Sequence, residues 1–177
     1  WKLLKDIDKA VEIISGKIDA GTKMRIIGDY DIDGVTATYI LLKGFKRLGA
    51  NVDTYIPDRV ADGYGIHDHL IKKAMEDGID TIVTCDNGIS ASSQITYAKE
   101  LGMTVVVTDH HEVPFTDTEE GRTYILPPAD AIINPKQADC TYPNKNICGA
   151  VVAMKLVFAL YEKYRLPEEE KEDFLEP

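Results

Sequence analysis

The chain has 177 residues, of which 44% are hydrophobic, enough apolar material for one buried core. We expect a single domain over residues 1–177. No apolar run approaches the length of a membrane span and no secretory leader is visible, so a soluble, cytoplasmic protein is expected. The three cysteines form no CxxC pair, which argues against a disulfide framework and against a zinc knuckle.

The net charge of −10 would ordinarily weigh against a nucleic-acid partner, because Lys and Arg side chains bind phosphate backbones. Half of that charge, −5, lies in the run from Pro167 to Pro177. Much of the remainder belongs to aspartates whose charge a pair of divalent cations would neutralise. The overall charge therefore does not decide the substrate.

Short β-branched runs alternate with amphipathic segments along the chain, which is the pattern of a βαβ fold. The predicted helices are 4–20, 34–48, 66–76, 90–101 and 149–164, and the predicted strands are 24–28, 52–56, 81–85, 104–108 and 129–133. In the second helix, Val35, Tyr39, Leu42 and Phe45 form the stripe expected to face the core. The polar, proline-containing residues 112–128 are predicted to form a loop over the site. This alternation predicts a three-layer α/β domain, with a mostly parallel five-stranded sheet and helices on both faces.

Acidic clusters follow three of the predicted strands. The clusters are Asp29, Asp31 and Asp33 after the first strand, Asp86 after the third, and Asp109, His110 and His111 after the fourth. In open parallel sheets the ligand crevice lies outside the carboxyl ends of the strands, so the three clusters should converge on one site. The aspartates of the first cluster alternate along the chain, and in an extended segment that spacing puts them on one face.

Each cluster taken alone also has an ordinary structural interpretation. Asp33 could cap the helix that follows it, and the Asp-Asn-Gly sequence at 86–88 is a common turn. A histidine pair occurs by chance on surface loops, and a lone aspartate at a strand end could be the phosphoacceptor of a receiver domain. The receiver interpretation needs a lysine at a late strand end, and Lys136 is a poor match.

The clusters taken together favour a metal site. Three or four ligands satisfy one metal ion, whereas five aspartates and two histidines are available here, and this surplus indicates two ions. The mixture of carboxylates and imidazoles favours Mn²⁺, with Mg²⁺ as the alternative. Two such ions suit the in-line hydrolysis of a phosphoester.

These motifs also resemble those of the DHH phosphoesterases, in the same order and spacing. The matching segments are DYDIDG at 29–34, GYG at 63–65, TCDNGI at 84–89, DHH at 109–111, INP at 133–135 and CGA at 148–150. They run across nearly the whole chain and look like those of bacterial exonucleases specific for single-stranded DNA. The resemblance implies a DHH domain in an enzyme that hydrolyses single-stranded DNA from 5′ to 3′ in recombination and repair, with Mn²⁺ or Mg²⁺.

The resemblance also implies roles for individual residues. The implied metal ligands are Asp29, Asp31, Asp33, Asp86 and His110. Asp29 stands where pyrophosphatases of the superfamily carry a ligand histidine. Asp109 would orient an imidazole, and His111 would contact the scissile phosphate.

Four further residues are candidates for substrate contacts. Arg59 could grip a phosphate while Tyr64 stacks on a base, or both could belong to a plain surface turn. Asn134 could support the site or form an Asn-Pro turn. Gly149 opens a helix whose N–H groups could cradle a phosphate, or it could simply allow close packing.

The family's fourth motif, an aspartate that completes the metal set, and a C-terminal nucleic-acid-binding domain are expected beyond Pro177. We therefore expect this chain alone to bind metal weakly and to be weakly active or inactive. A single-strand-binding protein and a helicase are the expected partners, in a bacterial cytoplasm. The alternatives are a DHH hydrolase of short oligoribonucleotides, 3′-phosphoadenosine 5′-phosphate or cyclic dinucleotides, and a non-catalytic DHH-like module that binds replication proteins. Degraded ligand positions would mark the second alternative, and every visible position is intact.

Overall fold

The computed structural model describes residues 1–60, 62–63, 65–119 and 121–167. The strands are β1 (Met24–Ile27), β2 (Val52–Tyr55), β3 (Thr81–Cys85), β4 (Thr104–Thr108), β5 (Phe115–Thr118), β6 (Gly121–Tyr124) and β7 (Ala131–Ile133). Five of them form a parallel sheet in the order β2-β1-β3-β4-β7. The parallel five-stranded sheet predicted from the alternating pattern is therefore confirmed.

Helices cover both faces of this sheet. They are α1 (Ile7–Asp19), α2 (Ile32–Arg47), α3 (Asp68–Glu76), α4 (Ser92–Glu100) and α5 (Gly149–Lys163). Helices α1, α2 and α5 pack on one face, and α3 and α4 pack on the other, which gives the predicted three layers. Within the described ranges, no helix combines the length and the apolar character needed to cross a membrane.

Side chains of the central strands alternate between the two faces of the sheet. Ile26, Val83 and Val106 join the core beneath α1, α2 and α5, whereas Ile27 and Val107 join the core beneath α3 and α4. All five side chains are fully buried. Because burial of a branched apolar side chain contributes about 1.5–3 kcal/mol, both helical layers hold the strands in place.

The buried face of α2 differs from the predicted one. Val35 and Tyr39 are 42% and 44% exposed, whereas Phe45 is buried as predicted. The apolar side chains that α2 buries are Ala37, Ile40, Leu41 and Phe45. A Cβ atom on Gly44 would lie 2.6 Å from the methyl carbons of Val157, so α2 and α5 approach closely there. Small residues mark this helix contact, and of the predicted stripe only Phe45 and the partly buried Leu42 pack against the core.

A β-hairpin occupies part of the segment predicted as a loop. Strands β5 and β6 pair antiparallel, and the described residues of both strands are exposed. The rings of Phe115 and Tyr124 meet edge to face at 6.2 Å, and the guanidinium carbon of Arg122 lies 3.7 Å from the centre of the Phe115 ring. The hairpin is thus held by contacts between its own side chains.

The order of the strands determines where a ligand crevice opens. Strand β1 pairs with β2 on one side and with β3 on the other, so the chain turns from one half of the sheet to the other beside β1. Parallel sheets bind ligands at such a switch point, outside the carboxyl ends of the strands. The segments that follow β1 and β3 are therefore the expected walls of a site.

Candidate metal centre

The predicted acidic clusters converge at the carboxyl edge of the sheet. Two groups of side chains each bring their ligand atoms within 4.8 Å of one another. The first group is Asp29, Asp31 and Asp86, and the second is Asp86, His110 and His111. Asp86 belongs to both groups, so its carboxylate lies between two potential cation sites.

The alternating pattern predicted an extended run from Asp29 to Asp33. The run is not extended throughout, because α2 already begins at Ile32. Asp31 caps this helix, and its Oδ1 atom accepts a hydrogen bond of 2.9 Å from the N–H of Gly34. A Cβ atom on Gly34 would lie 2.6 Å from the Cβ atom of Asp29, so glycine permits this tight entry into the helix. A helix start therefore brings these aspartates together.

Asp33 caps a different helix from the one that contains it. Its Oδ2 and Oδ1 atoms accept hydrogen bonds of 2.7 and 2.8 Å from the N–H groups of Gly149 and Ala150 in the first turn of α5. Its Oδ2 atom also lies 3.5 Å from Nε2 of His110. These contacts contradict the predicted phosphate cradle at Gly149, because that N–H group already binds a carboxylate.

Asp86 has the conformation and surroundings of a functional residue. Its φ angle is 60°, a left-handed backbone conformation that few residues other than glycine adopt. The side chain is 1% exposed, and burial together with the charges of Asp33 and Asp31 raises its pKa to about 8. Its Oδ1 atom lies 3.0 Å from Nε2 of His110 but accepts no hydrogen bond from the described residues.

Asp29 carries a second buried carboxylate oxygen with no hydrogen-bond donor among the described residues. Burial raises the pKa of this carboxyl group as well. Buried polar atoms are normally satisfied, and buried charges are paired or coordinate metals. Two such oxygens, on Asp29 and Asp86, together with neighbouring imidazoles, are the surroundings that a divalent cation fits.

Asp109 holds the segment that carries both histidines. Its Oδ1 atom accepts hydrogen bonds from the backbone N–H groups of His110 at 2.7 Å and His111 at 3.1 Å. Its Oδ2 atom accepts a 2.9 Å bond from the N–H of Ile89, and Oδ1 also lies 2.7 Å from Nδ1 of His111. This hydrogen bond raises the pKa of His111. Asp109 therefore contacts the His111 ring, and both of its oxygens are engaged by the protein.

Asn134 lies beneath this segment and is fully buried. The side-chain Nδ2 of Asn134 donates a 3.0 Å hydrogen bond to the backbone carbonyl of His111. Its side-chain Oδ1 accepts a 2.8 Å bond from the backbone N–H of Lys136. Both ends of the side chain are thus used within the protein. This burial contradicts direct substrate contact and favours the alternative of a supporting residue.

One predicted substrate residue after β2, Arg59, lies on the side of the crevice that carries Tyr30. Arg59 is exposed, and its guanidinium carbon lies 5.6 Å from the centre of the Tyr30 ring, next to Asp29. Tyr64 lies outside the described residues. A phosphate contact by Arg59 and a base contact by Tyr64 both stay predictions.

Comparison with known proteins assigns the chain to a family. Residues 23–176 match the DHH family, N-terminal domain. The chain belongs to the DHH family. The single-stranded-DNA-specific exonuclease RecJ of Salmonella typhimurium is 42% identical over 161 residues, which are 90% of this DHH chain and 26% of that protein. The Bacillus subtilis RecJ is 42% identical over 166 residues, 94% of this DHH chain and 20% of that protein.

A solved structure agrees with this assignment. The crystal structure of an exonuclease RecJ bound to manganese superimposes with a TM-score of 0.80 at 33% identity, over 97% of this DHH chain and 41% of that one. The DHH chain thus spans about a quarter of the length of its Salmonella relative. The family resemblance inferred from the spaced motifs is confirmed.

The DHH chain contains contacts at the site that the motifs did not predict. The N–H groups of Ile89 and Ala150 hold carboxylates of the centre, and backbone donors leave no signature in residue type. A cavity of about 180 Å³ lies beside His111, with Ser90 and Gln94 among its lining residues. The position of Gln94 depends on how α4 packs, which the spacing of motifs does not report.

Proposed function

We propose that this DHH chain supplies the catalytic centre of a metal-dependent enzyme that hydrolyses phosphodiester bonds in single-stranded DNA. The observation that carries the proposal is the pair of ligand groups that share Asp86. A carboxylate that belongs to both groups is expected of a site for two cations, which would act on the reacting oxygens of a phosphate. Asp86 would be a ligand in both groups.

The donor set supports manganese as the metal. The first group offers only carboxylates, and in the second the imidazole of His110 joins the carboxylate of Asp86, while His111 is assigned to the phosphate. Carboxylates suit Mg²⁺ and Mn²⁺, whereas imidazoles suit transition metals, so Mn²⁺ satisfies both groups. The related exonuclease structure is described as bound to manganese, which supports the same choice. Mg²⁺ is the alternative metal.

The residues of the chain prepare the phosphate site for hydrolysis. In this reaction water attacks phosphorus, a P–O bond breaks, and the departing oxygen takes a proton. Bound cations would lower the pKa of the attacking water and offset the charge of the phosphate. Asp109 orients the His111 ring and raises its pKa, so His111 is suited to donate a hydrogen bond to a phosphate oxygen as an imidazolium.

The names of the relatives support the choice of substrate. Both reported relatives are exonucleases specific for single-stranded DNA, and both come from bacteria. We extend to this chain the same substrate, digestion from 5′ to 3′, a role in recombination and repair, and a bacterial cytoplasmic location. The fourth-motif aspartate, the C-terminal domain, the single-strand-binding protein and the helicase belong to the same proposal.

The test compares the rates at which the full-length gene product that contains this chain hydrolyses several substrates. The 5′-labelled single-stranded DNA should be degraded in Mn²⁺ at least tenfold faster than duplex DNA, oligoribonucleotides or a cyclic dinucleotide. The variant Asp86→Asn should lose about a hundredfold or more of this activity, because both ligand groups lose a carboxylate. Preference for the cyclic dinucleotide would instead favour a small-phosphate hydrolase. Absence of hydrolysis of every substrate would favour a non-catalytic module.

A further inference from the structure

The first turn of α5 meets two of the candidate ligand carboxylates. The N–H groups of Gly149 and Ala150 donate to the two oxygens of Asp33, which lies 116 and 117 residues earlier in the chain. A Cβ atom at position 149 would lie 2.6 Å from Oδ1 of Asp86. The residue at the ordinary capping position, Cys148, makes no side-chain hydrogen bond to the helix. The helix start is therefore shaped around acidic side chains from two other segments.

We propose that the first turn of α5 positions the metal ligands, with the N–H groups of Gly149 and Ala150 fixing Asp33 and the missing side chain at Gly149 making room for Asp86. The inference rests on the proposed function, since it assumes that these carboxylates bind cations. Gly149 acts through Asp33 and Asp86 and is a positioning residue. The sequence motif CGA thus has a function different from a phosphate cradle.

The hydrogen-bond capacity of a carboxylate allows this arrangement to coexist with a cation. An ionised carboxylate has about four lone-pair sites, so each oxygen of Asp33 that accepts one N–H retains a second site. Two bonds, one to each oxygen, fix the rotation of the carboxylate plane. The positive end of the helix dipole also offsets part of the repulsion between Asp33 and Asp86. Partners of this kind typically change metal affinity about 10–100-fold when they are removed.

Packing between the helices fixes where this first turn lies. Asp33 belongs to the first turn of α2, and the donors belong to the first turn of α5. The two helices approach closely at Gly44 and Val157, further along each helix. The position of Asp33 relative to its two donors therefore depends on a contact that is remote from the metal centre.

The first experiment measures Mn²⁺ affinity and unfolding of the protein with Gly149→Ala, with Gly16→Ala as the matched control. Gly16 lies in α1, where an added Cβ atom would meet no atom within 4 Å. We expect Gly149→Ala to weaken Mn²⁺ binding at least tenfold in isothermal titration calorimetry, and Gly16→Ala to leave it unchanged. A folded Gly149→Ala variant that binds Mn²⁺ within twofold of the parent would overturn the inference, because a purely structural cap changes only the melting temperature.

A second measurement needs no variant and decides the case if Gly149→Ala does not fold. Hydrogen exchange of the parent protein is followed with and without Mg²⁺. The Gly149 and Ala150 amides should exchange at least tenfold more slowly with Mg²⁺, while those of Ser92 and Ser93, in the first turn of α4, should not change. Equal exchange at Gly149 and Ala150 in both conditions would overturn the inference while metal binding stands. Failure of the parent to bind either cation would overturn the proposed function instead, and the inference with it.

Discussion

Asp109 and His111 are joined by a 2.7 Å contact between Oδ1 and Nδ1, and the same carboxylate accepts three backbone hydrogen bonds. The carboxylate is 1% exposed and the His111 side chain is 43% exposed, so only the Asp109 side of the contact is shielded from water. A single side chain therefore determines both the path of the β4 end and the orientation of the imidazole.

We predict that Asp109→Asn lowers the pKa of His111 toward its ordinary value and reduces hydrolysis. The amide group cannot accept all four bonds, so at least one buried N–H loses its partner, and unfolding becomes easier by about 1–3 kcal/mol. NMR titration of the His111 ring measures the pKa, and urea denaturation measures the stability. The control is Asp139→Asn, which removes an exposed ion pair with Lys5. An unchanged His111 titration would contradict the prediction.

Asp86 predicts a pH dependence of stability in the absence of metal. Its pKa is about 8 in the folded chain, whereas an unfolded aspartate titrates near pH 3.9. Between about pH 4 and pH 8 the folded chain keeps a proton that the unfolded chain has lost, so the contribution of this group falls as the pH rises. Asp86→Asn removes that titration and should gain stability relative to the parent between pH 5 and pH 8.

Urea denaturation of both proteins at several pH values checks this prediction. Mn²⁺ at pH 8 should stabilise the parent, because binding to the folded chain shifts the unfolding equilibrium, and should have little effect on Asp86→Asn. A stability difference between the two proteins that is the same at pH 5 and pH 8 would show that Asp86 does not titrate in this range.

Gly44 predicts a stability effect far from the metal centre. Gly44→Ala would place a methyl group 2.6 Å from the methyl carbons of Val157, so the two helices must separate or distort. Overpacking of this kind costs about 1–3 kcal/mol. Gly16→Ala, on an exposed helix surface, should instead gain about 0.5–1 kcal/mol. Urea denaturation compares the two variants, and a Gly44→Ala protein as stable as the parent would mean that α2 and α5 are not tightly packed there.

The hydrogen bonds of the buried Asn134 side chain predict that its removal lowers the rate of catalysis. Asn134→Ala leaves the carbonyl of His111 and the N–H of Lys136 without this partner, which should cost about 1–3 kcal/mol of stability. The rate of single-stranded DNA hydrolysis should fall in kcat more than it changes KM, since the side chain is too buried to contact substrate. Asn146→Ala, at an exposed position, is the control. A rise in KM alone would restore the substrate-binding interpretation of Asn134.

A phosphate contact by Arg59 predicts the opposite kinetic pattern, in which KM changes more than kcat. A charge-assisted hydrogen bond to phosphate contributes about 1.5–3 kcal/mol, so Arg59→Ala should raise KM for single-stranded DNA about tenfold or more, with kcat less affected. Lysine is a point charge that cannot bind phosphate bidentately, so Arg59→Lys should recover only part of the affinity. An unchanged KM in both variants would leave Arg59 as a surface residue that packs on Tyr30.

The sheet and the meeting of the acidic clusters could be predicted from sequence, because both depend on patterns of residue type. Buried parallel strands such as β3 and β4 are continuous β-branched runs, and their carboxyl ends share one edge. The β5–β6 hairpin could not be predicted in this way, since all of its described residues are exposed and no apolar alternation marks them. Its stabilising contact, Arg122 over Phe115, becomes visible only once the strands pair.

The details of the metal centre were less predictable because they depend on backbone groups and on close approach. Alternation suggested an extended run for Asp31 and Asp33, but Asp31 caps α2 and Asp33 caps α5. The donors at positions 149 and 150 come from a helix far along the chain, and any residue type except proline carries an N–H group. The sequence shows a glycine at position 149, but only the position of Asp86 explains why a side chain is excluded there.

The left-handed backbone at Asp86 limits how evolution and mutagenesis can alter this residue. Asparagine and glycine also tolerate a φ angle of 60°, whereas most other side chains strain the turn after β3. Asp86, which both ligand groups share, can therefore be replaced by only a few residue types without a change in the local backbone conformation. An inactive descendant of this domain that kept its fold would be expected to carry asparagine or glycine here.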